Sequence, residues 1–183
     1  MKRAILSFLL SLTFYSVYAC TCNYAGNFSK VAKDADLVAF VKVIDHKDYF
    51  SLIPEYDSTK RPMSVWVEIV KKYNGKEERK QVKLFGDNGY LCRTSILDLK
   101  EGEYYVVAVH KSQNKTWEYG VTETDNDYHI SACGEYLLKY NPVNQTVKGS
   151  IKGKSRKVRV MPMEKFEGIL EKKKVLTPTT ALR

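Results

Sequence analysis

The sequence has 183 residues, a net charge of +9 and 44% hydrophobic residues, with no internal repeat and no low-complexity tract. This is one domain by size, long enough to bury a core. Beyond its first residues it contains no apolar run able to cross a bilayer as a helix.

Met1-Lys2-Arg3 is a short basic start, Ala4 to Val17 is almost entirely apolar, and Val17-Tyr18-Ala19 places small residues at the two positions a signal peptidase reads. This pattern predicts a secretory leader over residues 1–19, cleaved after Ala19, in preference to an uncleaved anchor. Removing 19 of the 183 residues leaves 164, and the loss of Lys2 and Arg3 brings the net charge to +7. The mature chain is then expected to be secreted, extracellular or periplasmic, and to begin at Cys20. Val17-Tyr18-Ala19-Cys20 also loosely resembles a lipoprotein cleavage box, and a lipid anchor on Cys20 is the rival processing route. That route would leave three cysteines to pair.

Asn27 to Ala35 reads as a short helix, with Asn27 as its cap and Phe28, Val31, Ala32 and Ala35 at helical spacing. Leu37 to Ile44 is nearly continuous apolar sequence, expected as a strand buried on both faces. Asp45 to Pro62 is polar with two prolines and reads as a loop. Val65 to Tyr73 is a second strand. Asn74-Gly75 follows as a turn whose residues tolerate positive φ, and Gln81 to Phe85 returns as a third strand. Gly86-Asp87-Asn88-Gly89 breaks it. Tyr104 to Val109 and Trp117 to Thr122 are predicted as strands four and five, with Ser112 to Lys115 turning between them. Short strands of this spacing predict a small five-stranded β-barrel with flanking short helices. After Cys133, Thr146 to Ile151 and Lys157 to Val160 suggest a basic hairpin. Pro162 starts a helix to Lys174 with Phe166, Ile169 and Leu170 on one face. The last residues, Thr177 to Arg183, are expected to fray.

All four cysteines, Cys20, Cys22, Cys92 and Cys133, lie beyond the leader. An even number in an exported chain reads as two disulfides. A Cys20–Cys22 bridge would close a strained ring across one residue. Each of these two is therefore expected to reach a distant partner, Cys92 or Cys133. Cleavage after Ala19 would place a free amine on Cys20, whose amine and carbonyl can close a five-membered chelate ring on a metal. The amine must be neutral to do so. With an ordinary pKa of roughly 8, it loses its proton readily to a nearby metal.

Cys20-Thr21-Cys22, Ala35-Asp36-Leu37-Val38, Leu91-Cys92, Leu99 to Tyr104 and Ile130-Ser131-Ala132-Cys133 together resemble the tissue inhibitors of metalloproteinases, netrin-like domains built on an OB-fold barrel. The resemblance spans most of residues 20–136. It implies an OB-fold domain over 20–140, followed by a basic extension over 141–183. It implies bridges Cys20–Cys92 and Cys22–Cys133, and an inhibitor without enzymatic activity or a cofactor of its own. The main-chain amine and carbonyl of Cys20 would bind the catalytic zinc of a target protease. Thr21 would enter the pocket beside that zinc, and Gly89, Tyr90 and Leu91 would lie alongside. The chain departs from the family in having no third disulfide in this domain, no cysteine-rich C-terminal domain, and Asn23-Tyr24-Ala25-Gly26 after Cys22 where a proline-containing stretch is usual.

Other readings weigh the same residues differently. The basic cluster after Lys148 would make the chain an extracellular netrin-like module for a polyanionic glycan, a membrane surface or a partner protein, without protease inhibition. Cys20-x-Cys22 is a poor match to the two-residue spacing of thiol oxidoreductases. His46, His110 and His129 are scattered and read as surface or strand-end histidines, not as metal ligands. Trp66, Tyr90, Tyr104, Tyr105 and Trp117 could stack nucleic-acid bases on an OB-fold. The export pattern and their strand positions instead place most of them in the core, with no nucleic-acid partner.

Overall fold

The computed structural model describes residues 22–51, 59–117, 119–153 and 156–175. The predicted leader, Cys20, Thr21 and the expected frayed end lie outside the described residues. In chain order the elements are α1 (Phe28–Val31), β1 (Leu37–Phe50), β2 (Arg61–Asn74), β3 (Gln81–Phe85), a 3-10 turn (Ile96–Asp98), β4 (Tyr104–Lys111), β5 (Lys115–Thr116), β6 (Thr122–Glu123), β7 (Tyr128–His129), β8 (Leu137–Asn141), β9 (Thr146–Gly149), β10 (Arg159–Pro162) and α2 (Met163–Val175). Among the described residues no helix is long and apolar enough to cross a membrane.

Five strands close on themselves in the order β1-β2-β3-β7-β4, with β4 pairing back onto β1. Neighbours in this ring are antiparallel except β3 and β7, which run parallel. That connectivity is the Greek-key barrel of the OB-fold. Closure needs strands that coil, and β1 carries register shifts after Val38, Phe40 and Val43 that bend it around the barrel. From β4 the sheet continues outward through β8, β9 and β10.

Leu37, Val38 and Ala39 are all at most 2% exposed. Side chains alternate across a sheet, so unbroken burial requires cover on both faces. The barrel interior supplies one cover, through Val65, Val67, Leu84 and Val107. The short helices supply the other. Phe166 of α2 is fully buried and packs edge-on against Phe28 of α1 at 5.6 Å and Tyr73 of β2 at 6.3 Å. Beside it, Glu167 accepts from the Tyr73 hydroxyl at 2.7 Å and from Lys71 at 2.8 Å. Burial, reinforced by Glu167, pushes the Tyr73 phenol far above its ordinary pKa, so it stays a donor. The basic hairpin β9–β10 and the helix after it thus share one core with the barrel.

The structure corrects three local expectations. The segment Asp45 to Pro62 is not a loop throughout: β1 runs on to Phe50 and β2 starts at Arg61. Polar residues are tolerated there because β1 pairs with β4 only over Leu37–Lys42 and from Asp45 on is paired with β2 alone. Trp117 to Thr122 is not the fifth barrel strand. β5 and β6 form a separate two-stranded hairpin, and Trp117 donates to Val121 across a turn in which Gly120 has φ 80°. The barrel is closed instead by β7, whose two residues are too few to show alternation. The first helix stops after one turn, because Lys33 and Asp34 donate to the carbonyls three residues back. Its expected cap, Asn27, makes no side-chain capping bond. The Asn27 amide donates to the Gly153 carbonyl and its oxygen accepts from Ser29 Oγ.

Phe166→Ala should cost about 3–5 kcal/mol in urea denaturation, the range for emptying a buried phenylalanine site. A loss below about 1 kcal/mol would show that α2 is not part of the barrel's core.

Candidate functional site

Cys22 opens the described chain and is bonded to Cys133, with the two Cα atoms 5.7 Å apart and a sequence separation of 111. Ala25 donates to the Cys133 carbonyl at 2.6 Å, so the chain leaves the bridge already hydrogen-bonded to the barrel. The Cys92 sulfur lies within 4.8 Å of both bridged sulfurs. No described cysteine is a free thiol, so this sulfur cluster is a staple and not a thiolate metal site. The expected Cys20–Cys92 pairing has one end outside the described residues. Arg156 stacks its guanidinium 4.2 Å above the ring of Tyr24, which braces the same segment from the basic extension.

Gly89, Tyr90 and Leu91 sit in a strap over residues 86–95 that arches off the end of β3. The strap is fixed at both ends and along its length. Asp87 donates to Thr94 at 3.0 Å, Thr94 donates to Ile130 at 2.9 Å, and Ala132 donates to Cys92 at 3.0 Å. Within the arch, Leu91 N donates to the Asp87 carboxylate at 2.9 Å and Tyr90 N to the Asn88 side chain at 3.1 Å. Gly86 is demanded here by close approach: a Cβ would run into the Thr94 carbonyl and the Ile96 side chain. Asn88 is buried and donates to the Tyr119 hydroxyl at 2.6 Å. Tyr119 in turn stacks on Phe50 at 4.6 Å. A second apolar cluster of Phe50, Met63, Phe85 and Val121, joined by Leu91, Trp117 and Tyr119, underlies the arch. The strap's own apex ring points outward, with Tyr90 82% exposed.

Below the strap lie charges the sequence reading did not single out. Arg93 Nη1 is 2.9 Å from both oxygens of Glu123, donating to Oε2, and Glu123 is only 1% exposed. His129 lies next to His110 across the β4–β7 ladder with rings 5.8 Å apart, and two residues before Ser131, the residue that bridges Arg93, so it shares the Arg93 face of that strand. Burial, then the nearby Arg93 charge, push the His129 imidazole down to about 4 from its ordinary 6.5. It is therefore neutral at neutral pH.

No protein-family model matches this sequence, and no curated protein matches it.

The structure thus brings Cys22, Cys133, Cys92, Gly89, Tyr90 and Leu91 to one end of the barrel, and the chain enters that end immediately after Cys20 and Thr21. Most of the five singled-out aromatic residues were expected in the core, but Tyr105 alone is buried; Trp66, Tyr104 and Trp117 are half-buried and Tyr90 is the most exposed ring at the site. Asn88, Arg93, Tyr119, Glu123 and His129 were missed. The polar loop composition at 86–89 was visible in sequence, but each partner lies tens of residues away.

Removing one partner of the buried ion pair leaves the other charge stranded. Glu123→Gln should therefore lower stability by about 3 kcal/mol, read from denaturation midpoints. A change under about 0.5 kcal/mol would show that Arg93 is solvated and the pair idle.

Proposed function

We propose that the exported chain, cleaved after Ala19, is an inhibitor of zinc metalloproteases. The amine and carbonyl of Cys20 chelate the target's catalytic zinc. They fill the coordination position that such a site keeps open for water and substrate. Thr21 enters the pocket beside the metal, and Gly89, Tyr90 and Leu91 line the adjoining cleft. The observation that carries this reading is the anchoring of Cys22, two residues from the proposed chelating end, at a point where the Cys92 sulfur is within 4.8 Å. Anchoring Cys22 next to the chelating end reduces the entropic cost of docking it.

The placement of the strap adds support. OB-folds bind ligands through the β2–β3 face and through the loops after the first and fourth barrel strands. Here the ends of those loops supply Phe50 and Met63 on one side and Trp117, Tyr119 and Val121 on the other, with Leu91 packed between. The resemblance to the tissue inhibitors of metalloproteinases assigns the same ridge.

Adding one alanine before Cys20 moves the amine away from the zinc without touching the barrel. Inhibition of a sensitive metalloprotease should weaken about a hundredfold or more, the scale of a lost interface hot spot. Equal inhibition by the extended protein would refute chelation.

A polyanion-binding role has its own surface in the exposed side chains of Lys148, Lys152, Arg156, Lys157 and Arg159. Because residues 148–175 also carry Ile151, Phe166 and Leu170 of the core, deletion would unfold the barrel. Charge reversal is the cleaner probe. Lys148→Glu with Arg159→Glu should abolish salt-sensitive retention on a sulfated-polysaccharide column. Retention unchanged by the substitutions would remove this surface from consideration.

A further inference from the structure

We infer that Arg93, Glu123 and His129 form an acid-sensitive latch beneath the strap, holding Gly89–Leu91 in place at neutral pH and releasing it on acidification. The release would regulate the ridge described above, and its consequence for inhibition rests on that reading. The latch itself does not.

Three elements meet at the latch. Arg93 comes from the strap, directly after Cys92, and bridges to Ser131. Glu123 comes from β6, and His129 from β7. The other titratable groups facing His129 are His110 on β4 and Asp36 just before β1, with Asp36 Oδ2 3.6 Å from His110 Nδ1. Tyr136 stacks against His110 at 5.6 Å. On β3 the residue level with His129 is Phe85, which carries no charge.

One buried polar atom in this cluster, His129 Nδ1, has no hydrogen-bond partner among the described residues; Glu123 Oε1 is held by charge, 2.9 Å from Arg93 Nη1. In the neutral form this is tolerable, since Nδ1 can be the unprotonated nitrogen. A proton taken from solvent changes the balance. Protonated His129 must donate from both nitrogens, and Glu123 is the buried carboxylate of the cluster. Two cations, Arg93 and His129, then compete for one carboxylate. The competition pushes on Arg93, and through it on the hydrogen bonds of Cys92 and Thr94 that fasten the strap to residues 130–132. The stability that neutral His129 contributes is complete above pH 6.5, where neither folded nor unfolded histidine is protonated. It falls away as pH drops towards about 4, because the unfolded chain binds the proton first.

The test needs no protease, so its failure leaves the inhibitor reading standing and the converse also holds. In the oxidised mature protein, amide hydrogen exchange of Leu91, Arg93 and Thr94 is followed from pH 7 to 4, corrected for intrinsic rates, beside the His129 ring titration by NMR. The latch predicts that strap exchange rises about tenfold with the His129 midpoint, while Val65 and Val107 in the barrel stay protected. His129→Gln, neutral at every pH, should remove the rise. A rise that persists in His129→Gln overturns the latch, as does a strap that stays closed while His129 titrates. Should that variant fail to fold, Arg93→Gln gives a second reading. It should raise the His129 midpoint and loosen the strap already at pH 7, and an unchanged midpoint overturns the proposal.

Discussion

The bridge between Cys22 and Cys133 ties the start of the described chain to the segment that follows the last strand of the barrel, across a sequence separation of 111. In the chain-entropy account, a closed loop of that length stabilises the fold by roughly 4.7 kcal/mol. Its local consequence matters more for function. Chain ends usually fray unless tied down. Here the covalent tie brings residues 22–27 within reach of weaker bonds that order them: Ala25 to the Cys133 carbonyl, Tyr24 beneath Arg156, and Asn27 to Gly153. An extended segment with little apolar surface of its own becomes part of a rigid end of the barrel.

The strap depends on the same end in a different way. It has almost no secondary structure, so its shape is specified by side chains reaching into it. Asp87 and Asn88 satisfy backbone donors within the arch, and Tyr119 holds Asn88 from the neighbouring hairpin. Leu91 packs into the second apolar cluster, and the Arg93–Glu123 pair closes the underside. The result leaves Tyr90 exposed on a fixed support, the arrangement expected of a contact residue and a poor one for a core residue.

Much of this was legible in the sequence because it is written locally. Alternation and the Asn74-Gly75 turn give β2 and β3, Gly86 marks where β3 must stop, and the basic pair of runs after Thr146 gives the β9–β10 hairpin. The single cysteines and the Cys20-Thr21-Cys22 cluster point to a stapled chain end. What stayed hidden is non-local. Trp117 and Tyr119 have the composition of a strand, but Tyr119 is claimed by Phe50 and Asn88, and the backbone turns to deliver it. His110 and His129 look scattered by spacing and become neighbours through ladder register. Arg93 and Glu123 are 30 residues apart with no motif between them. Two-residue β7 carries too little pattern to be recognised, although it closes the barrel.

The central claim is that a free amine sits at a chain end clamped to the barrel beside the strap. Intact-mass and disulfide-mapped peptide analysis of the exported, unreduced protein tests it most directly. The account predicts a product beginning at an unmodified Cys20, with Cys20 joined to Cys92 and Cys22 to Cys133. Residues ahead of Cys20, an acyl group on it, or the crossed pairing would contradict it.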